Sequence, residues 1–444
     1  MTDLALALHL PGPRSAAVFD DEARFLAPGT QSIALFSRLS FERGEGAVLW
    51  DVDGNRYVDL LAGVGVASLG YAHPKYVKAI QEQVARIHVG SFASAQRAEL
   101  VRLLADVTPG DLNRTQLYSS GAEAVESAIR LAKAATGHRE VIGFWGGFHG
   151  KTAGVLPLLG GSFKHGLGPF TPGAFSSPYA NCSRCALGLR FDRCNWRCVE
   201  LLEQKIVMET AGDLAAIIVE PVQGTAGNIV PPPGYLRLLR DVADRLGALL
   251  ICDEMITGFG RTGRMFAVEH EGVMPDILTV GKGFGAGFPM SGVIVRERIA
   301  FARPWANPSG SSSSYGGNPL ASAAALATLR IVLEEGLVEH SQTLGARMLE
   351  TMRRWEREIP IVHDVRGRGL MIGMDLVKPG TTELLDKSVT RAIFDACLAR
   401  GVLAMIYNPE VRINPPLVIT EDEAFEALSI MEEVLRDAAD RIGA

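Results

Sequence analysis

Between residues 112 and 300 the chain alternates short apolar runs with stretches in which apolar residues recur every three or four positions. The runs are TQLYSS (115–120), EVIGFW (140–145), LAAIIVEP (214–221), GALLICDE (247–254), DILTVGK (276–282) and SGVIVR (291–296). Runs that lack a regular polar alternation suit strands buried on both faces. The stretches 121–135, 197–210 and 234–246 between them carry helical periodicity. Buried strands separated by helices predict an α/β layer fold with a mostly parallel sheet.

On either side of this region the pattern changes. VLWDV and YVDLL flank Asp53-Gly54-Asn55, and Asp-Gly between two apolar runs predicts a β-hairpin over 47–61. After a long helical stretch (319–336), VHDVRGRGLMIGMDLV reads as two short strands around a Gly-rich turn, with helices near 385–400 and 421–441. The expected division is an arm and hairpin (1–65) that belong to a small α+β domain, a large domain (66–320) and the rest of the small domain (321–444). A length of 444 residues fits that count at about 150 residues per domain. Leu4 to Leu10 is apolar, but no basic region precedes it and Pro11 and Pro13 come directly after. It reads as an irregular or docked arm and not a signal peptide. The serine run from Ser309 to Ser314 reads as a loop.

Composition narrows the function classes. Hydrophobic residues make up 47% and charged residues 21%, so the chain has the apolar surface to offset its ordering entropy. A net charge of -6 offers no broad basic face for phosphates, which argues against a nucleic-acid partner. No apolar run reaches the roughly 20 residues of a membrane-spanning helix. Six cysteines in a chain this long do not suggest a disulfide scaffold, and a reducing, cytoplasmic location is expected.

In an open α/β sheet ligands bind beyond the carboxyl ends of the strands, so the residues just after each strand are informative. After TQLY comes Ser119-Ser120-Gly121-Ala122-Glu123 and then a helix. Ser120 and Glu123 have capping-box spacing, and a helix start with a small residue can hold an anion or be a plain cap. After VIGF comes Trp145-Gly146-Gly147-Phe148-His149-Gly150-Lys151, where an aromatic or a histidine could stack on a planar ring. Glu220 comes after AIIV, and Asp253 and Glu254 come after ALLIC. A carboxylate there needs a partner, such as a metal, a cation or a protonated ring nitrogen. Lys282 comes after ILTVG between two glycines. Lysine is rarely buried without a use, and one held there can condense with an aldehyde. Together these are the handles of pyridoxal 5'-phosphate (PLP): a phosphate cup, a ring-stacking aromatic, an acid for the ring nitrogen and a lysine for the aldehyde.

The chain resembles the class III, ornithine/ω-type aminotransferases of PLP fold type I from about residue 42 onward. The matching stretches include WDVDGNRYVDLLAG, SSGAEAVESAIRLAK, GGFHGKT, EPVQGTAG, CDEMITGFGRTG, PDILTVGKGFGAGFP, SYGGNPLA, VRGRGLMIG and RINPPLVIT. The resemblance implies a large domain with a mostly parallel sheet of the seven-stranded type plus a smaller domain. It implies that Lys282 carries the cofactor and moves the proton, while Asp253 keeps the ring nitrogen protonated. Phe148 would stack on the ring, with His149, Glu220 and Ile256 around the cofactor. Ser120, Gly121 and Ala122 would hold the phosphate. Ser314 stands where the family has a phosphate-binding threonine supplied across a dimer interface, so a homodimer is implied. Arg412 matches an arginine that binds an amino-acid carboxylate, and Phe36 is a candidate for the wall against the other substrate. Thr225 replaces a glutamate that masks that arginine in many glutamate-using members, and Ile256 replaces a glutamine found in some relatives. Both point away from ornithine and acetylornithine enzymes.

Cys182, Cys185, Cys194 and Cys198 form C-x2-C-x8-C-x3-C in a polar, Arg-rich segment. Four thiols can hold zinc. The span between the pairs is short and contains no histidine, so the segment is taken as an ordered loop with free thiols and no metal. Similar insertions occur in relatives that are racemases or epimerases and in aminotransferases of aminoglycoside biosynthesis. The expectation is therefore transfer of an amino group from an amino acid to an aldehyde or ketone, with the 6'-carbonyl of an aminoglycoside as one acceptor. The alternatives are a PLP-dependent epimerase or racemase, a decarboxylase of the dialkylglycine type, and a non-catalytic PLP-site binding protein.

Overall fold

The computed structural model describes residues 10–443. The described residues fall into two compact units, one formed by residues 10–74 and 340–443 and the other by 75–339. Leu4 to His9 of the apolar arm lie outside the described residues.

In the first unit, α1 (Pro13–Ala23) and α2 (Ser32–Ser37) precede strands β1 (Phe41–Glu45), β2 (Val48–Asp51) and β3 (Arg56–Asp59). The hairpin turns where Asp53-Gly54 predicts it, with Gly54 in the left-handed region at φ 91°. Neither α1 nor α2 is signalled by strong periodicity. Proline opens α1, where its missing N–H costs nothing. The helix start is held by the hairpin turn, since the Asp53 carboxylate accepts the N–H of Arg14 (2.9 Å) and of Ser15 (2.8 Å).

The second unit contains α3 (Pro74–Val84), α4 (Ala95–Val107), β4 (Leu112–Tyr118), α5 (Gly121–Thr136), β5 (Glu140–Phe144), β6 (Ala174–Ser177) and α6 (Arg197–Glu209). It continues with β7 (Leu214–Val219), α7 (Tyr235–Leu246), β8 (Leu249–Asp253), β9 (Ile277–Val280), β10 (Ser291–Arg296) and α8 (Pro319–Glu334). The strands form a seven-stranded sheet in the order β4-β10-β9-β8-β7-β5-β6. Each of the six apolar runs becomes a strand. The seventh, β6, has a half-polar sequence and sits at the edge. Strands β5 to β9 run parallel, and β10 is antiparallel to both of its neighbours.

Side-chain alternation divides this sheet between two cores. Ile217, Val219, Leu250, Cys252, Leu278 and Val280 face one cluster, with residues of α4, α6, α7 and α8. Ala216, Ile218, Leu249, Ile251 and Ile277 face the other, which α5 covers through Val125, Ala128, Ile129 and Ala132. The sheet thus lies between helical layers, and only its strand ends can present polar chemistry.

The rest of the first unit comprises α9 (Leu337–Glu358, entered from the second unit), β11 (Val362–Arg368), β12 (Met371–Leu376), α10 (Lys387–Leu398), β13 (Val402–Leu403), β14 (Glu410–Ile413) and α11 (Glu421–Gly443). β13 pairs in parallel with β3 and completes a sheet β1-β2-β3-β13, while β11, β12 and β14 form an antiparallel sheet.

Candidate active site

The carboxyl ends of β4, β5, β7, β8 and β9 supply the polar groups of the second unit. Parallel pairing sets their register: Asp253 ends β8 directly opposite Thr279 of β9, three residues before Lys282. Lys282 is partly buried and adopts φ 45°, a left-handed conformation that a side-chain-bearing residue enters at a cost. The turn between Gly281 and Gly283 gives the backbone room to hold it there.

Asp253 is 1% exposed. Its Oδ2 accepts from His149 Nδ1 at 2.7 Å, and its Oδ1 accepts the Met255 N–H at 3.1 Å. Burial alone would lower the His149 pKa. The hydrogen bond and charge of Asp253, with the charge of Glu220 behind them, more than offset burial, and the net shift is upward. The pair is therefore a buried carboxylate with one oxygen bonded to the His149 ring nitrogen.

Glu220 is also buried. Its Oε1 accepts the Phe148 N–H (2.8 Å) and its Oε2 the Gly224 N–H (3.0 Å), so the carboxylate ties the turn after β5 to the turn after β7. Burial raises its pKa, and Asp253 raises it further, against the His149 charge and the two backbone bonds. Phe148 is partly exposed, and its ring meets Phe163 edge-on at 5.6 Å.

Ser120 caps α5, accepting the Glu123 N–H at 3.3 Å. The capping box differs from the expected one, because Glu123 returns to the N–H of Ser119 (3.1 Å), one residue before the cap. Gly121 and Ala122 occupy the first helical positions, whose N–H groups have no intrahelical acceptor. Two side chains that the sequence did not mark complete the packing. Ser291 Oγ donates to Ser120 O (2.7 Å), and Met255 Sδ would stand 3.2 Å from a Cβ on Gly121 and 2.6 Å from one on Gly281. The glycines at both positions are the only sequence trace of that close approach.

Ile256 is buried just after β8. Ser314 is exposed in the loop before Asn318 and makes no hydrogen bond to any of these residues. Phe36 and Arg412 belong to the first unit, on α2 and β14. Cys182, Cys185, Cys194 and Cys198 line one cavity of about 20 Å³ together with Tyr179 and Phe191. Among the described residues there is no disulfide and no group of three or more His, Cys, Asp or Glu side chains placed to hold a metal.

The donor set fits PLP. A helix start provides N–H groups for a phosphate, Asp253 provides a buried acid for a ring nitrogen, and Lys282 provides an amine at the neighbouring strand end. Glu254, in contrast, is consumed locally. It accepts from Thr257 Oγ1 (2.6 Å) and from the N–H groups of Ala267 (2.8 Å) and Val268 (2.9 Å), and burial raises its pKa to about 7.

Comparison with known proteins agrees with this chemistry. Residues 31–435 match the family described as aminotransferase class-III. The chain is 42% identical to the acetylornithine aminotransferase of Methanopyrus kandleri, over 88% of this chain and 93% of that protein. It is 36% identical to the alanine/serine racemase of Pyrococcus horikoshii, over 96% and 91%. The solved ω-transaminase of Pseudomonas jessenii in complex with pyridoxamine phosphate superposes with a TM-score of 0.89 at 27% identity, covering 96% of this chain and 98% of that one. The departures at Thr225 and Ile256 therefore do not separate the chain from acetylornithine enzymes in overall sequence. No helix among the described residues is long and apolar enough to cross a membrane. The chain belongs to the class III aminotransferases, with the α/β architecture of PLP fold type I, and is a PLP-dependent aminotransferase.

Proposed function

We propose that this aminotransferase takes the amino group of an amino-acid donor and passes it to an aldehyde or ketone acceptor, among them the 6'-carbonyl of an aminoglycoside. The observation that carries the reading is the register of β8 and β9. It sets a buried, His-paired acid and a lysine at the ends of neighbouring strands.

Bound PLP supplies an electron sink for the carbon that carries the amino group. In this proposal Lys282 Nζ holds the cofactor covalently, takes the proton from that carbon and returns it during transfer. Asp253 keeps a proton on the ring nitrogen, and His149 fixes the far side of Asp253. Ser120, Gly121 and Ala122 hold the phosphate. Phe148 lies against the ring, positioned by Glu220 through its backbone N–H, and Ile256 packs beside the ring. Arg412 takes the donor carboxylate in a two-pronged contact, and Phe36 forms an apolar wall. The exposed Ser314 serves the phosphate of a second copy, so the working unit is a homodimer, here assigned to the cytoplasm.

Epimerisation is the second reading, favoured by the likeness to the alanine/serine racemase. The two separate in deuterated water with an amine substrate, with and without a keto acid. Transfer needs the keto acid for repeated turnover and yields a carbonyl product. Inversion with deuterium incorporation and no keto acid would replace the aminotransferase reading.

A further inference from the structure

Phe36 and Arg412 are linked in the first unit by a residue that the sequence did not mark. Tyr407 lies in the bend before β14. The backbone bridge from the Arg412 N–H to Met405 O (3.1 Å) folds residue 407 back toward residue 412. In an antiparallel pair, the residue two beyond one partner is the diagonal neighbour of the other, within reach of long side chains.

The Tyr407 ring is held on two sides. Phe36 meets it edge-on at 5.0 Å and Phe394 at 5.7 Å. Arg391 braces both of those rings, with its guanidinium 4.4 Å from the centroid of Phe36 and 5.6 Å from that of Phe394, and it donates to Phe36 O at 2.8 Å. The hydroxyl of Tyr407 makes no hydrogen bond to a described residue. Burial pushes its pKa up while the charge of Arg412 draws it down. A tyrosine that is 8% exposed normally finds a partner for its hydroxyl.

We propose that Tyr407 is a specificity residue that donates its hydroxyl hydrogen to the carboxylate that Arg412 receives. The inference rests on Arg412 being the receptor of the donor carboxylate. A carboxylate offers about four lone-pair sites, and a two-pronged guanidinium uses two of them, which leaves room for a third donor. The ligand class is an amino acid whose carbon chain lies against Phe36 while its carboxylate meets Arg412 and Tyr407.

Tyr407→Phe keeps the ring contacts and removes only the hydroxyl. Loss of a hydrogen bond to a charged group predicts a fall of about tenfold or more in kcat/KM for L-glutamate or L-alanine as donor. The value for 1-phenylethylamine, which has no carboxylate, should stay within about twofold. As a readout that does not involve turnover, glutarate binding measured by calorimetry should weaken by a similar factor. If Arg412→Ala weakens glutarate and Tyr407→Phe does not, the inference about Tyr407 is overturned and the reading of Arg412 stands. If neither variant weakens it, both fail.

Discussion

Asp253→Asn isolates charge from shape. In the parent, Asp253 Oδ2 accepts from His149 at 2.7 Å and Oδ1 accepts the Met255 N–H at 3.1 Å. Asparagine keeps Oδ1 on Met255 and turns its amide NH₂ toward His149 Nδ1. The imidazole then presents a lone pair at Nδ1 and carries its single proton on Nε2. Both hydrogen bonds survive. The carboxylate charge is gone, and with it the main influence that raises the His149 pKa against burial. Asp253 and His149 are each 1% exposed at the side chain, so water screens little of the loss. Two unit charges about 4 Å apart at an effective dielectric of about 20 interact by about 4 kcal/mol, which is the scale of what the Asp253 charge would contribute to a protonated ring nitrogen held beside it. That corresponds to a drop of about 10³-fold in rate. The thermal midpoint should move by about 4 °C at most, because no buried hydrogen bond is lost. The assay pairs kcat/KM with thermal unfolding, and nitrogen-detected NMR of His149 reports the tautomer. Activity within tenfold of the parent, with the tautomer switched, would show that the charge does not drive the reaction.

The same geometry sets further outcomes. Lys282→Ala should abolish turnover and leave the fold intact. Lys282→Gly should unfold about 1 kcal/mol later than Lys282→Ala, because only glycine enters φ 45° freely; equal midpoints would show no strain there. Arg412→Ala should raise KM for a carboxylated donor at least tenfold while sparing a carboxylate-free amine, and equal losses on both would mark Arg412 as structural. Glu254 has its pKa raised from 4.5 to about 7, so the folded state holds its proton more tightly than the unfolded chain. Its contribution to stability is present below about pH 4.5 and is lost as pH rises toward 7. Glu254→Gln should flatten that part of the stability–pH curve, and an unchanged slope in chemical denaturation would contradict it.

The sheet was legible because strands buried on both faces must be apolar runs. Such runs were found for every strand of the large sheet except β6, whose edge position lets AFSS stand in for a buried pattern. Helix α9 (Leu337–Glu358) went unread because the residues before it continue an earlier helical pattern; the break falls at Gly336, at φ 65°. Lys282 and Asp253 were visible because charge at the end of an apolar strand is costly and therefore conspicuous. The partners of Glu220 were not legible, since a sequence does not show that both oxygens are taken by backbone N–H groups. Tyr407 was invisible for a similar reason. Its neighbours Phe36 and Phe394 are 371 and 13 positions away, and only the folded first unit brings their rings together.

The bond between the hairpin turn and α1 has a consequence for the order of assembly. An 11-residue helix is too short to hold itself in water, so α1 has no reason to form before Asp53 is in place, 38 and 39 residues downstream of the N–H groups it accepts. The turn can close from local contacts alone, whereas the helix must wait for it. In native-state hydrogen exchange α1 should therefore open as a small cooperative unit of its own, released by loss of a single carboxylate while the hairpin strands stay protected.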